Sequence, residues 1–305
     1  TKLVAFEDSW RGAPNAKTFT FRYIPEDSAR LIALQNGEVD ICMDPATIEL
    51  GTIEDDPNLD LISYDGGSLS YFAFNTQKSP ADNEDLRKAV AYGIDVDSII
   101  AVAAEGRGKK ATSFWGWNEY GFYDCGGYEY NPDKAKEYLA ASGLSPADCT
   151  FSIICSDDTK LRAGQVIQSS LKENLGIDVT LESMDLATYL DKTAVGDYQA
   201  AIGGYTSSDV LAHCMGVYHS KSIDGSNKTR LNDPEIDALI DKVKATLDPE
   251  ENLKVVTELS KALNDTCTQV PIYLKNNVRA YAKGLEGFKM SPSGGMYISE
   301  LSWSE

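Results

Sequence analysis

Residues 71–106 read YFAFNTQKSPADNEDLRKAVAYGIDVDSIIAVAAEG and join one strand to two helices. The apolar run over 71–74 predicts a buried strand, and the polar turn residues that begin at Asn75 predict its end. Apolar residues then recur at helical spacing, which predicts a helix over 83–94 and a second helix over 97–105. A strand followed by helices in this way indicates an α/β protein.

The rest of the chain alternates between the apolar patterns of strands and of helices. Strands are predicted over 3–6, 18–24, 39–43, 59–64, 69–74, 150–155, 177–183 and 198–204, and strands return over 270–303. Further helices are predicted between Pro25 and Gly37 and over 132–142, 159–175, 185–195, 208–219, 233–246 and 249–267. Strands and helices alternate over 151–205, which indicates a sheet that is at least partly parallel. Asp65-Gly66-Gly67 predicts a turn between two strands.

The charge of the chain excludes one class of partner. Lys and Arg number 28 against 47 Asp and Glu, so the formal net charge is −19. A surface this acidic repels phosphate backbones, and we therefore expect no nucleic-acid binding. At 42% hydrophobic and 25% charged residues, the chain has the composition of a packed globular protein.

Neither cysteine nor histidine forms a recognisable metal motif. The six cysteines lack CxxC or Cys/His spacing, and both disulfides and buried thiols are compatible with their positions. His213 and His219, the two histidines, are six residues apart on one predicted helix and so point in different directions. We expect no metal site and no cofactor.

Several short motifs occur in an order that resembles a known family. They are Phe74-Asn75-Thr76, Pro80, the run Leu86-Arg87-x-Ala89-Val90-x-Tyr92-x-Ile94-Asp95, Gly106, Ala29-Arg30 with Gly37-Glu38-x-Asp40, Tyr130-Asn131-Pro132, Leu175-Gly176-Ile177-Asp178-Val179 and Gln269-Val270-Pro271-Ile272-Tyr273. This order resembles the C-terminal portion of extracellular solute-binding protein family 5, the peptide/nickel-type substrate-binding proteins of ABC transporters. The resemblance spans most of the chain.

The resemblance implies a particular fold. It is periplasmic-binding-protein-like, of class II and cluster C type, with two lobes of mixed sheets flanked by helices. By resemblance, residues 1–84 and 270–305 form part of the first lobe and residues 85–269 form the second. Family members carry a further N-terminal segment, which we expect to be missing here. Because one wall of the ligand cleft would then be incomplete, we expect weak or absent peptide affinity for residues 1–305 alone.

The segment over 201–209, AIGGYTSSD, is the first candidate ligand site. A strand leads into two glycines, an aromatic residue, three hydroxyls and an acid, and a helix follows, which is a junction where α/β proteins often bind ligands. The candidate residues are Gly204, Tyr205, Thr206, Ser207, Ser208 and Asp209. The matching family loop contains an Asp that pairs with the amino group of a peptide, and Asp209 is the nearest acid here. The same residues could instead only cap the helix.

Two tryptophans and an asparagine complete the candidate set. Trp115 and Trp117 lie in a Gly-containing loop and could line an apolar cleft, although burial in the core is the commoner fate of tryptophan. Asn75 ends the strand of the family's Phe-Asn-Thr motif. Its side chain could satisfy backbone groups at the turn or contact ligand.

The sequence predicts a carrier. The sequence contains none of four common enzyme motifs: the nucleophile elbow, the zinc-protease helix, the phosphate loop and the dinucleotide-binding glycine motif. We therefore expect no enzyme. The resemblance implies an extracytoplasmic, periplasmic or lipid-anchored monomer that captures oligopeptides or dipeptides by lobe closure and delivers them to ABC permease subunits. A nickel complex, an oligosaccharide or an opine-like solute remains an alternative ligand. A sensor domain of a transcriptional regulator remains an alternative function.

Overall fold

The computed structural model describes residues 1–291 and 294–304. The chain divides into two compact units. Unit 1 comprises Thr1–Gly66 and Asn276–Glu305, and unit 2 comprises Gly67–Lys275.

Strands and helices follow one another along the chain much as the two sequence periods predict. The strands are β1 (Lys2–Val4), β2 (Thr18–Thr20), β3 (Ile41–Cys42), β4 (Leu59–Phe74), β5 (Gly108–Lys110), β6 (Phe151–Cys155), β7 (Val179–Ser183), β8 (Ala200–Tyr205), β9 (Gln269–Ala282), β10 (Leu285–Glu286) and β11 (Ser302–Trp303). The helices are α1 (Asp27–Gln35), α2 (Leu50–Glu54), α3 (Glu84–Gly93), α4 (Val96–Ala103), α5 (Pro132–Ala141), α6 (Asp158–Leu175), α7 (Leu186–Val195), α8 (Val210–Val217), α9 (Pro234–Ala245) and α10 (Pro249–Thr266).

A mixed sheet forms the centre of unit 2. Its strand order is β9-β4-β8-β6-β7, and β5 pairs antiparallel with β9. The strands β7, β6 and β8 are parallel, so the predicted parallel part of the sheet is confirmed. β4 runs antiparallel to β8, with Leu69 opposite Tyr205 and Phe74 opposite Ala200.

The two largest apolar clusters among the described residues lie in unit 2. The larger cluster packs α3, α4, α5 and α6 against the sheet and includes Phe72, Ile153 and Leu171. The second cluster packs α8, α9 and α10 around Phe114 and Trp115. Removal of these side chains from water is the main force that holds the helices in place.

Unit 1 contains a two-stranded hairpin and a smaller core. β1 and β2 pair antiparallel, with Leu3 opposite Phe19. α1 and α2 bury a separate cluster that includes Leu34 and Ile53, and β3 pairs antiparallel with the end of β9.

The predicted turn at Asp65-Gly66-Gly67 is wrong, because β4 continues through all three residues. Gly67 does not form a turn and instead allows the side chain of Asn118 to approach the strand closely. A Cβ atom on Gly67 would lie 1.8 Å from Oδ1 of Asn118. The missing side chain therefore makes room for the loop that contains Asn118, and glycine in a strand often marks such an approach.

Two helices have clear N-terminal caps. Asp233 and Asp248 accept hydrogen bonds from the first turns of α9 and α10, and a proline occupies the first position of each helix. The helix predicted over 208–219 is shorter, since α8 ends at Val217. His219 consequently lies outside the helix that carries His213, and it caps a short 3₁₀ turn.

The lobe boundaries inferred from the family resemblance, 84/85 and 269/270, stay a prediction. The two compact units divide at 66/67 and at 275/276. Residues 292, 293 and 305 of the predicted first-lobe and C-terminal strand ranges lie outside the described residues.

Candidate functional site

The loop over 204–209 begins where β8 ends. Because β6, β7 and β8 are parallel, their carboxyl ends meet at one edge of the sheet, where open α/β sheets bind ligands. Gly204, Thr206 and Ser208 are exposed to solvent, and Tyr205 and Asp209 are half-buried. The loop thus presents a backbone and two hydroxyl-bearing residues at that edge.

Asp209 caps the following helix. Its Oδ1 accepts a hydrogen bond from the backbone N–H of Ala212 at 2.8 Å, and its Oδ2 accepts one from Ser208 Oγ at 3.0 Å. Ser207 Oγ donates to the carbonyl oxygen of Asp209 at 3.0 Å. The capping role that the sequence allowed is therefore present, and a half-buried carboxylate can both cap a helix and face a ligand.

The tryptophans of the second loop have different surroundings. Trp115 is completely buried, and its ring packs edge-on against Phe114 and Tyr218 with centroids 6.2 and 6.0 Å away. Trp117 is 39% exposed. Trp115 therefore belongs to the core, and Trp117 is the one whose ring reaches solvent.

Main-chain hydrogen bonds join the two candidate loops. The N–H of Tyr120 donates to the carbonyl oxygen of Ser208 at 3.4 Å, and the N–H of Val210 donates to the carbonyl oxygen of Tyr120 at 3.1 Å. Residues that the sequence separates by about ninety positions are thus brought to one place within unit 2.

Asn75 lies elsewhere. Its side-chain amide donates to the carbonyl oxygens of Gly196 and Tyr198 at 3.2 and 2.8 Å, and its Oδ1 accepts from the N–H of Gln77 at 3.1 Å. The residue is completely buried. Tyr205 lies opposite Leu69 in the pairing of β4 with β8, and Asn75 is six residues further along, about 20 Å away by strand rise. The structure does not bring Asn75 together with the loops, and we leave it out of the site proposed below.

Sequence reasoning missed a buried acid–histidine pair. Nδ1 of His213 lies 2.8 and 3.0 Å from the two carboxylate oxygens of Glu119, and both side chains are 0% exposed. Glu119 also accepts a hydrogen bond from the N–H of Gly116 at 2.8 Å. One signal was available, because Glu119 is the sole charged residue in the aromatic stretch over 114–122.

In the part of the chain that the structure describes, the cysteine side chains form no disulfide, and no metal cluster is found there either. Within 1–291 and 294–304, no group of three or more His, Cys, Asp or Glu residues is placed to hold a metal ion. All six cysteines are free thiols, and all except Cys125 are buried. Burial raises the pKa of the Cys214 thiol to about 12, so this cysteine is protonated at neutral pH.

The described residues contain no helix with the length and apolar character needed to cross a membrane.

The family model described as "Bacterial extracellular solute-binding proteins, family 5 Middle" matches residues 1–222. The chain belongs to this family of bacterial extracellular solute-binding proteins. Family 5 membership, predicted from the motifs around residues 71–106, is thereby confirmed.

Individual family 5 proteins are similar over nearly the whole chain. Heme-binding protein A of Haemophilus influenzae is 26% identical over 308 residues, which cover 96% of this chain and 55% of the relative. The dipeptide-binding protein of Escherichia coli is 24% identical over 319 residues, which cover 98% of this chain and 57% of the relative. The chain therefore spans just over half the length of the curated family 5 relatives it matches.

A solved family 5 structure has the same fold. The ABC transporter substrate binding protein CtaP from Listeria monocytogenes superposes with a TM-score of 0.91 at 25% identity, over 100% of this chain and 64% of that protein. The predicted α/β, periplasmic-binding-protein-like fold with a mixed sheet and flanking helices is confirmed.

Proposed function

We propose that this chain is part of the substrate-binding component of an ABC importer and that the solute it captures is a peptide. The observation that carries the proposal is the loop over 204–209, an exposed polar loop with an acid at the carboxyl edge of parallel strands in a family 5 protein. The E. coli relative named as a dipeptide-binding protein supports the choice of ligand.

The loop residues suit an extended peptide. Main-chain groups at Gly204 can pair with the peptide backbone, and the hydroxyls of Thr206 and Ser208 can satisfy its remaining polar groups. The Asp209 carboxylate can pair with the free amino group, because a charge-assisted hydrogen bond is stronger than a neutral one. Trp117 offers an exposed aromatic wall that tolerates side chains of different shapes.

The proposed context follows from the family. The binding protein works outside the cytoplasm, in the periplasm or anchored by lipid, as a monomer that closes its two predicted lobes on the peptide and docks on permease subunits. It has no enzymatic activity, and its net charge of −19 disfavours nucleic-acid partners. One relative is named heme-binding protein A, so heme is a second ligand class that the experiment below must distinguish from peptide.

Mass spectrometry of released ligand tests the proposal. The protein is purified from its own host as that host produces it, denatured, and its ligands are identified. A ladder of short peptides is the expected result. A single non-peptide species such as heme, a nickel complex or a sugar contradicts the peptide assignment, and a DNA-bound regulator with no solute contradicts the importer assignment.

The role of Asp209 is tested by two substitutions that separate the cap from the charge. Asp209→Asn keeps a good capping oxygen, whereas Asp209→Ala removes it. Both substitutions are made in the protein as its own host produces it. We expect the Asn variant to retain the free energy of unfolding and to lose at least tenfold in affinity for the tripeptide Ala-Ala-Ala. N-acetylated Ala-Ala-Ala is the matched control. It has no free amino group, so the original protein and Asp209→Asn should bind it equally. Equal affinity of both proteins for the free-amino peptide would reduce Asp209 to a helix cap.

A further inference from the structure

The side chains of a histidine and a glutamate form a completely buried hydrogen-bonded pair behind the proposed ligand loops. His213 and Glu119 are 0% exposed, and their facing atoms are 2.8 and 3.0 Å apart. A carboxylate can only accept hydrogen bonds, so Nδ1 of His213 carries the proton. Burying such groups is costly unless they are paired in good geometry, which makes the position of each partner dependent on the other.

Glu119 holds one of the two loops. Its Oε1 accepts from the N–H of Gly116 at 2.8 Å, and its own N–H donates to the carbonyl oxygen of Gly116 at 3.0 Å. These reciprocal bonds close the turn that carries Trp117. The position of the exposed tryptophan is consequently tied to the carboxylate.

His213 contacts the other loop. Its ring lies 4.7 Å, centroid to centroid, from the ring of Tyr205, which is the last residue of β8. The hydroxyl of Tyr205 packs closely against Gly216, because it lies 2.5 Å from where a Cβ atom of that glycine would stand. The rings of Trp115 and Tyr218 also lie near the imidazole, with centroids 5.9 and 6.3 Å away, so the ring is surrounded by aromatic groups.

We propose that His213 is a positioning residue that couples the two ligand loops, by holding Glu119 through Nδ1 and Tyr205 through its ring. Ligand contact at Trp117 and ligand contact at 204–209 then reinforce each other, although neither Glu119 nor His213 touches the ligand. The part of this inference that concerns ligand rests on the proposed function.

Amide hydrogen exchange of the ligand-free protein tests the coupling. In Glu119→Gln, which removes the charge while keeping the size of the side chain, we expect exchange at 205–209 to rise at least tenfold. Exchange at Ile153 and Ile154, in the core strand β6, should stay unchanged. Glu182→Gln is the matched control, because it breaks the half-exposed pair with Lys192 in the same unit and should leave 205–209 unaffected.

A second substitution separates the two halves of the mechanism. His213→Asn keeps a side-chain N–H for Glu119 but removes the ring from Tyr205, so exchange should rise at 205–209 and stay low at Gly116–Glu119. If Glu119→Gln accelerates exchange only at 114–122, or if His213→Asn leaves 205–209 unchanged, the coupling is overturned. If Glu119→Gln raises exchange throughout unit 2, the substitution has destabilised the whole unit. The exchange of 205–209 in His213→Asn then decides whether the two loops are coupled.

Binding of Ala-Ala-Ala provides the ligand readout. Both substitutions should weaken binding at least fivefold, and Glu182→Gln should not. If the unaltered protein, purified as its own host produces it, binds no peptide, the proposed function fails while the exchange experiment still decides whether His213 couples the loops. If the peptide binds and both variants keep its affinity, the proposed function survives and the positioning role is overturned.

Discussion

A Cβ atom on Gly116 would lie 2.4 Å from the carbonyl oxygen of Gly67. The loop with the exposed tryptophan therefore packs directly on the backbone of β4, and a side chain at 116 has no space. We expect Gly116→Ala to lower the free energy of unfolding by about 1–3 kcal/mol, the usual cost of an added group in a packed interior. Chemical denaturation measures this change.

Gly225→Ala is the control for that substitution. A Cβ there meets the carbonyl oxygen of Ser222 at 3.5 Å, which is an ordinary contact. Its stability should change by less than about 0.5 kcal/mol. Equal stability of the two alanine variants would contradict the close approach of Gly116 to Gly67.

Asp157 should make the stability of the protein depend on acid pH. Partial burial of its carboxyl acts to raise the pKa, but the hydrogen bond and charge of Lys160 outweigh this, so the pKa of Asp157 lies below its ordinary value. A lowered folded-state pKa gives stabilisation that is present above the unfolded-state pKa, about 4, and is lost as the pH falls through the folded-state pKa. Asp157→Asn keeps the cap of α6 but has no charge to titrate.

We therefore expect the difference in unfolding free energy between the original protein and Asp157→Asn to be constant above about pH 5 and to shrink below pH 4. The carboxylate is 47% exposed, so solvent screening limits the difference to about 0.5–1 kcal/mol. Denaturation curves at a series of pH values measure it. A difference that grows on acidification would contradict the assigned shift.

Cys125 should be the first cysteine to react with alkylating reagents. It is the partly exposed thiol, whereas the other five are buried. Burial also raises the pKa of Cys125, so reaction at pH 8 should be slow and should accelerate as the pH rises. Peptide mapping after brief treatment with iodoacetamide identifies the modified residue. Faster labelling of Cys214 or Cys267 than of Cys125 would show that unit 2 opens locally.

The buried amide of Asn75 should be important for stability. Asn75→Ala leaves the carbonyl oxygens of Gly196 and Tyr198 without these donors, which we expect to cost about 2–4 kcal/mol. Asn174→Ala is the control, because this half-buried amide donates to the carbonyl oxygen of Gly93 at 3.2 Å and should cost less than about 1 kcal/mol. Thermal unfolding compares the two. An Asn75→Ala protein that keeps its stability but loses peptide affinity would restore Asn75 to the ligand site.

Local signals in the sequence predicted much of the fold. The Asp-Pro pairs that begin α9 and α10 combine a cap with a pre-set backbone angle, so their helix starts depend on neighbouring residues only. The alternation of strands and helices over 151–205 likewise predicted the parallel strands. Both signals act within one turn of helix or one βαβ unit.

Long-range contacts explain what the sequence did not predict. The sequence predicts a turn at Gly67, because the residue that requires glycine there, Asn118, lies 51 positions further along the chain. Glu119 and His213 are 94 residues apart, and no local pattern joins them. The ligand role of Asp209 stays a prediction, since a capping acid and a binding acid look the same in sequence.

The discontinuous make-up of unit 1 sets an order of events during synthesis. Residues 67–275, all of unit 2, are synthesised before Asn276 is added. β3 must wait for its partner, because Ile41 pairs with Tyr281. The apolar residues of α1 and α2 share a cluster with Ala280 and stay partly uncovered until then. Chaperones that bind nascent chains should accordingly find their target in residues 31–53, while unit 2 is already able to fold.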